Sequence, residues 1–345
     1  MTNVALSAML GASPPAGYES LYFDRKAREL RGGIGKYLGR RTPDKIPSSY
    51  MDDLDYQEPL PFEFLIYVAP EKVWRADMQR FRERFRAAPP NRDYFAFLKA
   101  TDGLLHSQGP ERLAIALESL DKILREIQSY CGNETEIVMF SDHGMNLEEN
   151  RRVPLASALR DRGFQVVIPA FGLCSYAALY CQDDNLIPEI ARASVEVNGV
   201  DFAVYKDGTD AVVESARGQA RIEHQPDSES YRYLIASGDP LELGKFQNEV
   251  ATDAVWFERT AGHRYPNALA NIYKSIFTHR VKHTADILLS MKDGCYYGWS
   301  PFGRFVRLAA THGNALQPSS NAFLMSTHRQ LPAYVRADDA KALLR

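Results

Sequence analysis

The sequence has no apolar stretch approaching the roughly 20 residues a helix needs to cross a bilayer, so no membrane-spanning role is expected. Cysteine is scarce: four residues, at 131, 174, 181 and 295, without C-x-x-C spacing. That pattern argues against a zinc-finger site and demands no disulfide framework. Charge of one sign is also missing. The formal net charge is −3, so nothing steers the chain toward nucleic-acid polymers or anionic membranes. The basic clusters "DRKARELRGGIGKYLGRR" and "RFRERFR" are interleaved with apolar residues and read as solvated helix faces. The N-terminal "MTNVALSAMLGASPPAGYE" carries an apolar patch without a basic leader, which makes a poor signal peptide and points to a cytoplasmic chain.

What is present is ordinary globular material. The 345 residues are 45% hydrophobic and 25% charged, and 18 Tyr and 17 Phe suit a large core or an aromatic-lined cleft. Runs rich in aromatic and β-branched residues read as strands: "FEFLIYVA" (62–69), "DYFAFLKA" (93–100), "EIVMF" (136–140), "FQVVIPA" (164–170) and "ADILLS" (285–290). Helical patterns lie between them. "ERLAIALESLDKILREIQSY" (111–130) places Leu113, Leu117, Leu120, Ile123, Leu124 and Ile127 on one stripe after Pro110. Shorter helices are expected over 153–163, 265–281 and the closing "RADDAKALLR". The alternation predicts an α/β fold, a mostly parallel sheet sandwiched by helices. Asn-Gly and Asp-Gly-Thr turns between short alternating runs predict a small antiparallel excursion near 193–240.

In parallel α/β sheets, ligands bind beyond the carboxyl ends of the strands. "FAFLKA" leads into Thr101-Asp102, with His106 four residues on, and "EIVMF" leads into Ser141-Asp142-His143-Gly144. The apolar "LAA" before Thr311 stops at His312-Gly313. Carboxylate oxygen and imidazole nitrogen together suit zinc or manganese, and the glycines allow tight turns around a cluster. One such residue alone is more often a cap. Three sites of this kind in one chain are hard to reach by accident. Histidines 224, 263, 279, 283 and 328 sit in hairpin, loop or helix contexts and read as surface residues, with a supporting role open for His283.

"TDGLLHSQGP", "LDKIL", "SDHGM" and "THG" together resemble the alkaline phosphatase superfamily, in its type I phosphodiesterase/nucleotide pyrophosphatase branch. "SARGQARIEH", "YRYLIASGDPL" and "YPNALANIYKSIF" also resemble segments of bacterial members, so the resemblance covers most of the chain. It implies an alkaline-phosphatase-like fold and metal-dependent hydrolysis of phosphate esters. Asp102, His106 and His312 are expected to bind one divalent ion, and Asp142 and His143 a second, zinc or manganese. "MTNVALSAMLGASPPAGYE" resembles the nucleophile segment, with Gly11, Pro14, Pro15 and Gly17 in register and Thr2 as the nucleophile.

Family members begin with a strand whose closing Asp also binds the second metal, and here only Met1 precedes Thr2. Asp24 is a poor substitute. The expectation is therefore one catalytic domain over 1–345, truncated at its N-terminus, with the hairpin-rich 193–240 inserted in it. Its first metal site would be complete and its second impaired. A catalytically impaired, metal-binding remnant is the alternative. A sulfatase on the same scaffold would need a Cys/Ser-x-Pro-x-Arg motif that the sequence lacks, and a phosphomonoester hydrolase remains a further alternative. The expected partner is a small phosphate ester, with loops 172–192 and 295–307 as candidate walls of its cleft. Oligomeric state is left open by the sequence.

Overall fold

Two tight chain reversals set the centre of the molecule. In the computed structural model, which describes residues 2–33, 54–59, 61–170, 172–277, 280–298 and 308–344, Asp207 pairs with Asp210 across Gly208-Thr209. Ser215 pairs with Gly218 across Ala216-Arg217. Turns this short can only return the chain antiparallel. Val200–Asp207, Asp210–Ser215, Gly218–Gln225 and Ser230–Gly238 therefore run as a meander. Gly218 is required at the second reversal: its φ is +132°, and a Cβ there would lie 1.9 Å from the Ser237 carbonyl oxygen.

The meander is half of an eight-stranded sheet. Val250–Thr252 flanks it on one side; on the other lie Ile287–Met291, Tyr176–Cys181 and Val166–Val167, in that order. Each of the seven neighbouring pairs is antiparallel. The α/β class holds, but the expected mostly parallel direction gives way to antiparallel pairing among the described residues. Parallel pairing there is limited to two short ladders, Tyr56–Gln57 with Ala96–Phe97 and Cys295–Tyr296 with Arg151–Arg152, and one isolated bridge between Asn198 and Val200. The 193–240 segment thus forms the middle of the main sheet, because its hairpins bring the longest strands side by side.

Helices cover both faces of this sheet. Along Val200–Asp207, Ala203 and Tyr205 point into one core, with Leu179, Ile287 and the helices Leu155–Asp161 and Ile187–Val195. Phe202 and Val204 point into the other, with Trp256, Leu269 and Ile276 from helices Asp253–Thr260 and Ala268–Ile276. That is the two-residue period of a strand buried on both sides. A third core joins helices Pro70–Arg86, Ala100–Gln108 and Leu113–Cys131 around Trp74, Leu104 and Ile123.

Several local expectations shift. The run 62–69 is helical over Phe62–Leu65 and turns into helix Pro70–Arg86, because Pro61 and Pro70 favour helix starts and Ile66 is taken up by the third core. The run 93–100 keeps only Ala96–Phe97 as strand, and a helix begins at Ala100. The strand Val138–Phe140 and the helix Leu113–Cys131 stand where the sequence placed them. The closing helix is a 3-10 segment, Ala337–Leu343, whose Asp338 is tied to Lys274 at 3.1 Å and to Arg280. Among the described residues no helix is long and apolar enough to cross a membrane. Leu179, fully buried between Ile287 and Val166 strands, supplies a test of this core. Leu179→Ala should lower unfolding stability by about 2–5 kcal/mol in urea titration, whereas Leu117→Ala at an exposed helix position should cost under about 1 kcal/mol.

Candidate metal centre

Asp102 and His106 come from a helix rather than from a strand end. Ala100–Gln108 places them one turn apart on the same face, and His106 Nε2 lies 3.4 Å from Asp102 Oδ2. His106 Nδ1 donates to the Ala310 carbonyl at 2.8 Å, which leaves Nε2 as the nitrogen facing the carboxylate. The helix sits close to its neighbour: a Cβ on Gly103 would lie 2.6 Å from Ile66. Because Ala310 precedes His312 by two residues, the His106–Ala310 bond also fixes the loop that brings His312 in.

Asp142 and His143 follow the strand Val138–Phe140, which pairs with Leu324–Ser326. The glycine after His143 is there for close approach. A Cβ on Gly144 would meet the Pro318 and Asn321 carbonyl oxygens at 2.1 and 2.3 Å. His143 Nδ1 donates to the Gly144 carbonyl at 2.9 Å, so Nε2 faces the cluster, 3.1 Å from Asp142 Oδ2. His312 is clamped from both sides: Asn146 and Thr311 exchange backbone hydrogen bonds, and the Ser175 N–H donates to the His312 carbonyl at 2.9 Å. Gly313 follows at a φ of +113°, a conformation open to glycine.

These segments converge. The rings of His143 and His312 stack at 3.7 Å, His106 lies 4.9 Å from His312, and His312 Nε2 is 3.5 Å from Asp102 Oδ1. Donor atoms of Asp102, His143 and His312 all lie within 4.8 Å of one another. This group draws members from both expected ion sets. Thr2, the first residue of helix Thr2–Met9, has its hydroxyl 3.3 Å from His143 Nε2, so it too joins the cluster. The turn that follows is anchored by the Pro15 and Ala16 carbonyls, which accept from Lys282 and His283 at 2.9 Å.

Other expectations fall outside. His283 stacks on Tyr22 at 4.9 Å and is not in the cluster, and His224 packs between Tyr231 and Tyr273. His279 lies outside the described residues. Asp24 accepts from the Lys26 and Ala27 N–H groups and pairs with Arg31 at 3.0 Å, a turn residue and not a ligand. Ser175 and Asn314, which position His312, were not singled out by the sequence. Asn314 donates to Met291 O and Asp293 Oδ1, and its own N–H binds Ser175 Oγ. A polar residue two places after a histidine was the available signal, and it is a weak one.

The donor set fits a divalent cation. Asp102 Oδ1, Asp142 Oδ2 and His312 Nδ1 are buried and make no hydrogen bond. Buried polar atoms left so are costly, and carboxylate and imidazole together are metal-binding chemistry. Protonation follows from the same crowding. Burial raises the Asp102 carboxyl, but the imidazoles of His106 and His312 outweigh it and hold the group well below the usual carboxylate range. Burial and the neighbouring His143 push His312 well below an ordinary imidazole, which keeps it neutral and able to ligate. For His143, burial opposes the charge but Asp142 prevails and lifts it to about 9.

Metal must displace that proton, because a ligating imidazole is neutral. Below about 9, His143 holds its proton in the metal-free protein, so the proton competes with the ion. The apparent affinity for zinc should therefore fall as pH drops from 9 to 7, by about tenfold per unit, in competition with a chromophoric chelator. A pH-independent affinity over that range would contradict the assignment.

Two solved structures of phosphonoacetate hydrolase from Sinorhizobium meliloti 1021 resemble the chain. The complex with phosphonoformate is 12% identical, with a TM-score of 0.48 over 99% of this chain and 82% of that one. The complex with phosphonoacetate is 13% identical, with a TM-score of 0.44 over 97% and 79%. Comparison with curated proteins returned no match. The family of type I phosphodiesterases and nucleotide pyrophosphatases matches residues 18–238, a segment that contains Asp102, His106, Asp142 and His143. With well over half of its length matched, the chain belongs to the type I phosphodiesterase/nucleotide pyrophosphatase family, metal-dependent hydrolases of phosphoric esters.

Proposed function

We propose that the chain hydrolyses phosphate diesters or nucleotide-like esters with Thr2 as nucleophile and two divalent ions, zinc or manganese. The carrying observation is the Thr2 hydroxyl, 3.3 Å from His143 Nε2 at the edge of the Asp102–His143–His312 group. Asp102, His106 and His312 would hold one ion, and Asp142 and His143 the other. Asp102 offers its two oxygens in different directions, toward His106 and toward His312, which suits a residue beside both positions. When bound, the ions lower the hydroxyl pKa of the nucleophile and neutralise the phosphoryl oxygens.

The chain's own groups account for the rest. Thr2 opens a helix, so the positive end of the helix dipole lies on its side and favours negative charge there. Its oxygen attacks phosphorus, the bond to the leaving alcohol breaks, and the alkoxide takes a proton. Water then attacks the phosphothreonine, releases phosphate monoester and restores the hydroxyl. His106, held by Ala310, and His312, held by Ser175, keep their nitrogens aimed without rearrangement.

Thr2→Ala should lower kcat on bis(4-nitrophenyl) phosphate by about a thousandfold or more with metal content retained. His312→Ala should instead lose bound metal by elemental analysis. Wild-type turnover in Thr2→Ala would overturn the nucleophile assignment, and full metal content in both His106→Ala and His312→Ala would overturn the ligand assignment. Parallel assays with aryl monophosphates and aryl sulfates test the diester preference. A faster rate on either would transfer the reading to the corresponding hydrolase.

A further inference from the structure

Residues 319–343 touch the metal cluster's surroundings at two separate places. At one end they hold the turn that carries Asp142 and His143. The Ser141 N–H donates to the Phe323 carbonyl and the Gly144 N–H to the Ser319 carbonyl, both at 3.1 Å, and Leu324–Ser326 pairs with Val138–Phe140. At the other end the 3-10 segment Ala337–Leu343 packs on helix Thr2–Met9, and it is the chief contact of that helix among the described helices and strands. The approach is close: a Cβ on Gly11, just past the helix, would lie 2.9 Å from Lys341 Cδ. Arg329 ties the two ends together, with Nη2 donating to the Leu343 carbonyl at 2.9 Å and Nε to Glu136 Oε1 at 2.5 Å.

Asp338 anchors the 3-10 segment to the rest of the molecule. Its carboxylate accepts from both terminal nitrogens of Arg280, one of them at 3.0 Å, and from Lys274 Nζ at 3.1 Å. Lys274 belongs to helix Ala268–Ile276, which packs on the main sheet, and it also reaches Asp253 at 2.8 Å. Arg336 adds a contact of 3.5 Å to Asp253. The Lys274 and Arg280 side chains are mostly buried, so these pairs are screened less than ordinary surface pairs. Burial opposes ionisation of Asp338, but Arg280 and Lys274 prevail and hold its carboxyl below the usual carboxylate range.

We propose that residues 319–343 form a clasp that sets the spacing between the Thr2 hydroxyl and His143, with Asp338 as the positioning residue that anchors it. The inference rests on the reading of Thr2 as nucleophile and deepens it. One clasp end carries the His143 turn and the other seats the Thr2 helix, so the 3.3 Å between Thr2 Oγ1 and His143 Nε2 is spanned by a single stretch of chain. The helix has eight residues and is about 12 Å long, so loosening it beside Lys341 swings Thr2 at its far end. A misplacement of about 1 Å costs about a hundredfold in rate. His106 and His312 are held by Ala310 and Ser175 instead, so the clasp acts on the nucleophile and leaves that ion's ligands in place.

Asp338→Asn removes the anchoring charge at nearly constant volume. Its kcat on bis(4-nitrophenyl) phosphate should fall about ten- to a hundredfold, with KM little changed and metal content retained. Asp338→Glu should recover most of the loss. Hydrogen exchange followed by mass spectrometry should quicken in peptides covering residues 2–12 and stay slow in helix Leu113–Cys131. Arg280→Gln breaks the same ion pair from its other side, should repeat both changes, and replaces Asp338→Asn if that variant does not fold. Unchanged kcat beside an active wild type, or unchanged exchange over 2–12, overturns the proposal. So does loss of metal, or faster exchange throughout the chain, either of which makes Asp338 a general support. The exchange measurement needs no substrate and so separates the two readings. Faster exchange over 2–12 in a protein that turns over no ester keeps the clasp and removes the hydrolase. Turnover unaffected in both variants removes the clasp and keeps the hydrolase.

Discussion

The structure turns on one half-buried carboxylate, whose Oδ1 is shut off from solvent. Asp102 meets His106 of its own helix with one oxygen and His312, from a loop two hundred residues later, with the other. A carboxylate so placed is tolerated only if positive charge or hydrogen-bond donors surround it. Here the imidazoles supply that partly, and a divalent cation would complete it. The same requirement draws the first helix, the strand before Ser141 and the late His-Gly loop to one point. Removing the compensation would leave Asp102 Oδ1, Asp142 Oδ2 and His312 Nδ1 stranded together.

The main sheet supports this point without contributing ligands. Its strand Tyr176–Cys181 begins immediately after Ser175, which holds His312, and Ile287–Met291 ends where Met291 O accepts from Asn314. Rigidity of the doubly covered sheet is thus transmitted to the His312 loop by backbone bonds at two strand ends. Precision of this kind is what a metal site needs, since displaced ligands lose both affinity and aim.

Much of this was legible in the residues. The four-residue spacing of Asp102 and His106 is meaningful on a helix, and "SDHGM" after an apolar run marks a ligand-bearing turn. The resemblance joined these to Thr2 and His312, and the folded chain brings all of them together. Asp102 was nevertheless placed at a strand end, because "FAFLKA" has strand-like composition while the helix starts within it at Ala100. Sheet direction was misread for a deeper reason. Hairpins in 193–240 were visible, but the pairing of Ile287–Met291 with Val200–Asp207 is a long-range contact that no local pattern specifies. The close approach at Gly144, set by carbonyls of Pro318 and Asn321, is equally invisible until the chain is folded.

The central claim is that Asp102, His106 and His312 face one cation, with Asp142 and His143 facing a second beside it. A crystal grown with zinc and measured on both sides of the zinc absorption edge tests it directly. The account predicts an anomalous peak at about 2.0–2.2 Å from an Asp102 oxygen and the His106 and His312 nitrogens, and a second beside Asp142 and His143. A site elsewhere, or stacked histidines with no peak between them and Asp102 at saturating zinc, would contradict it.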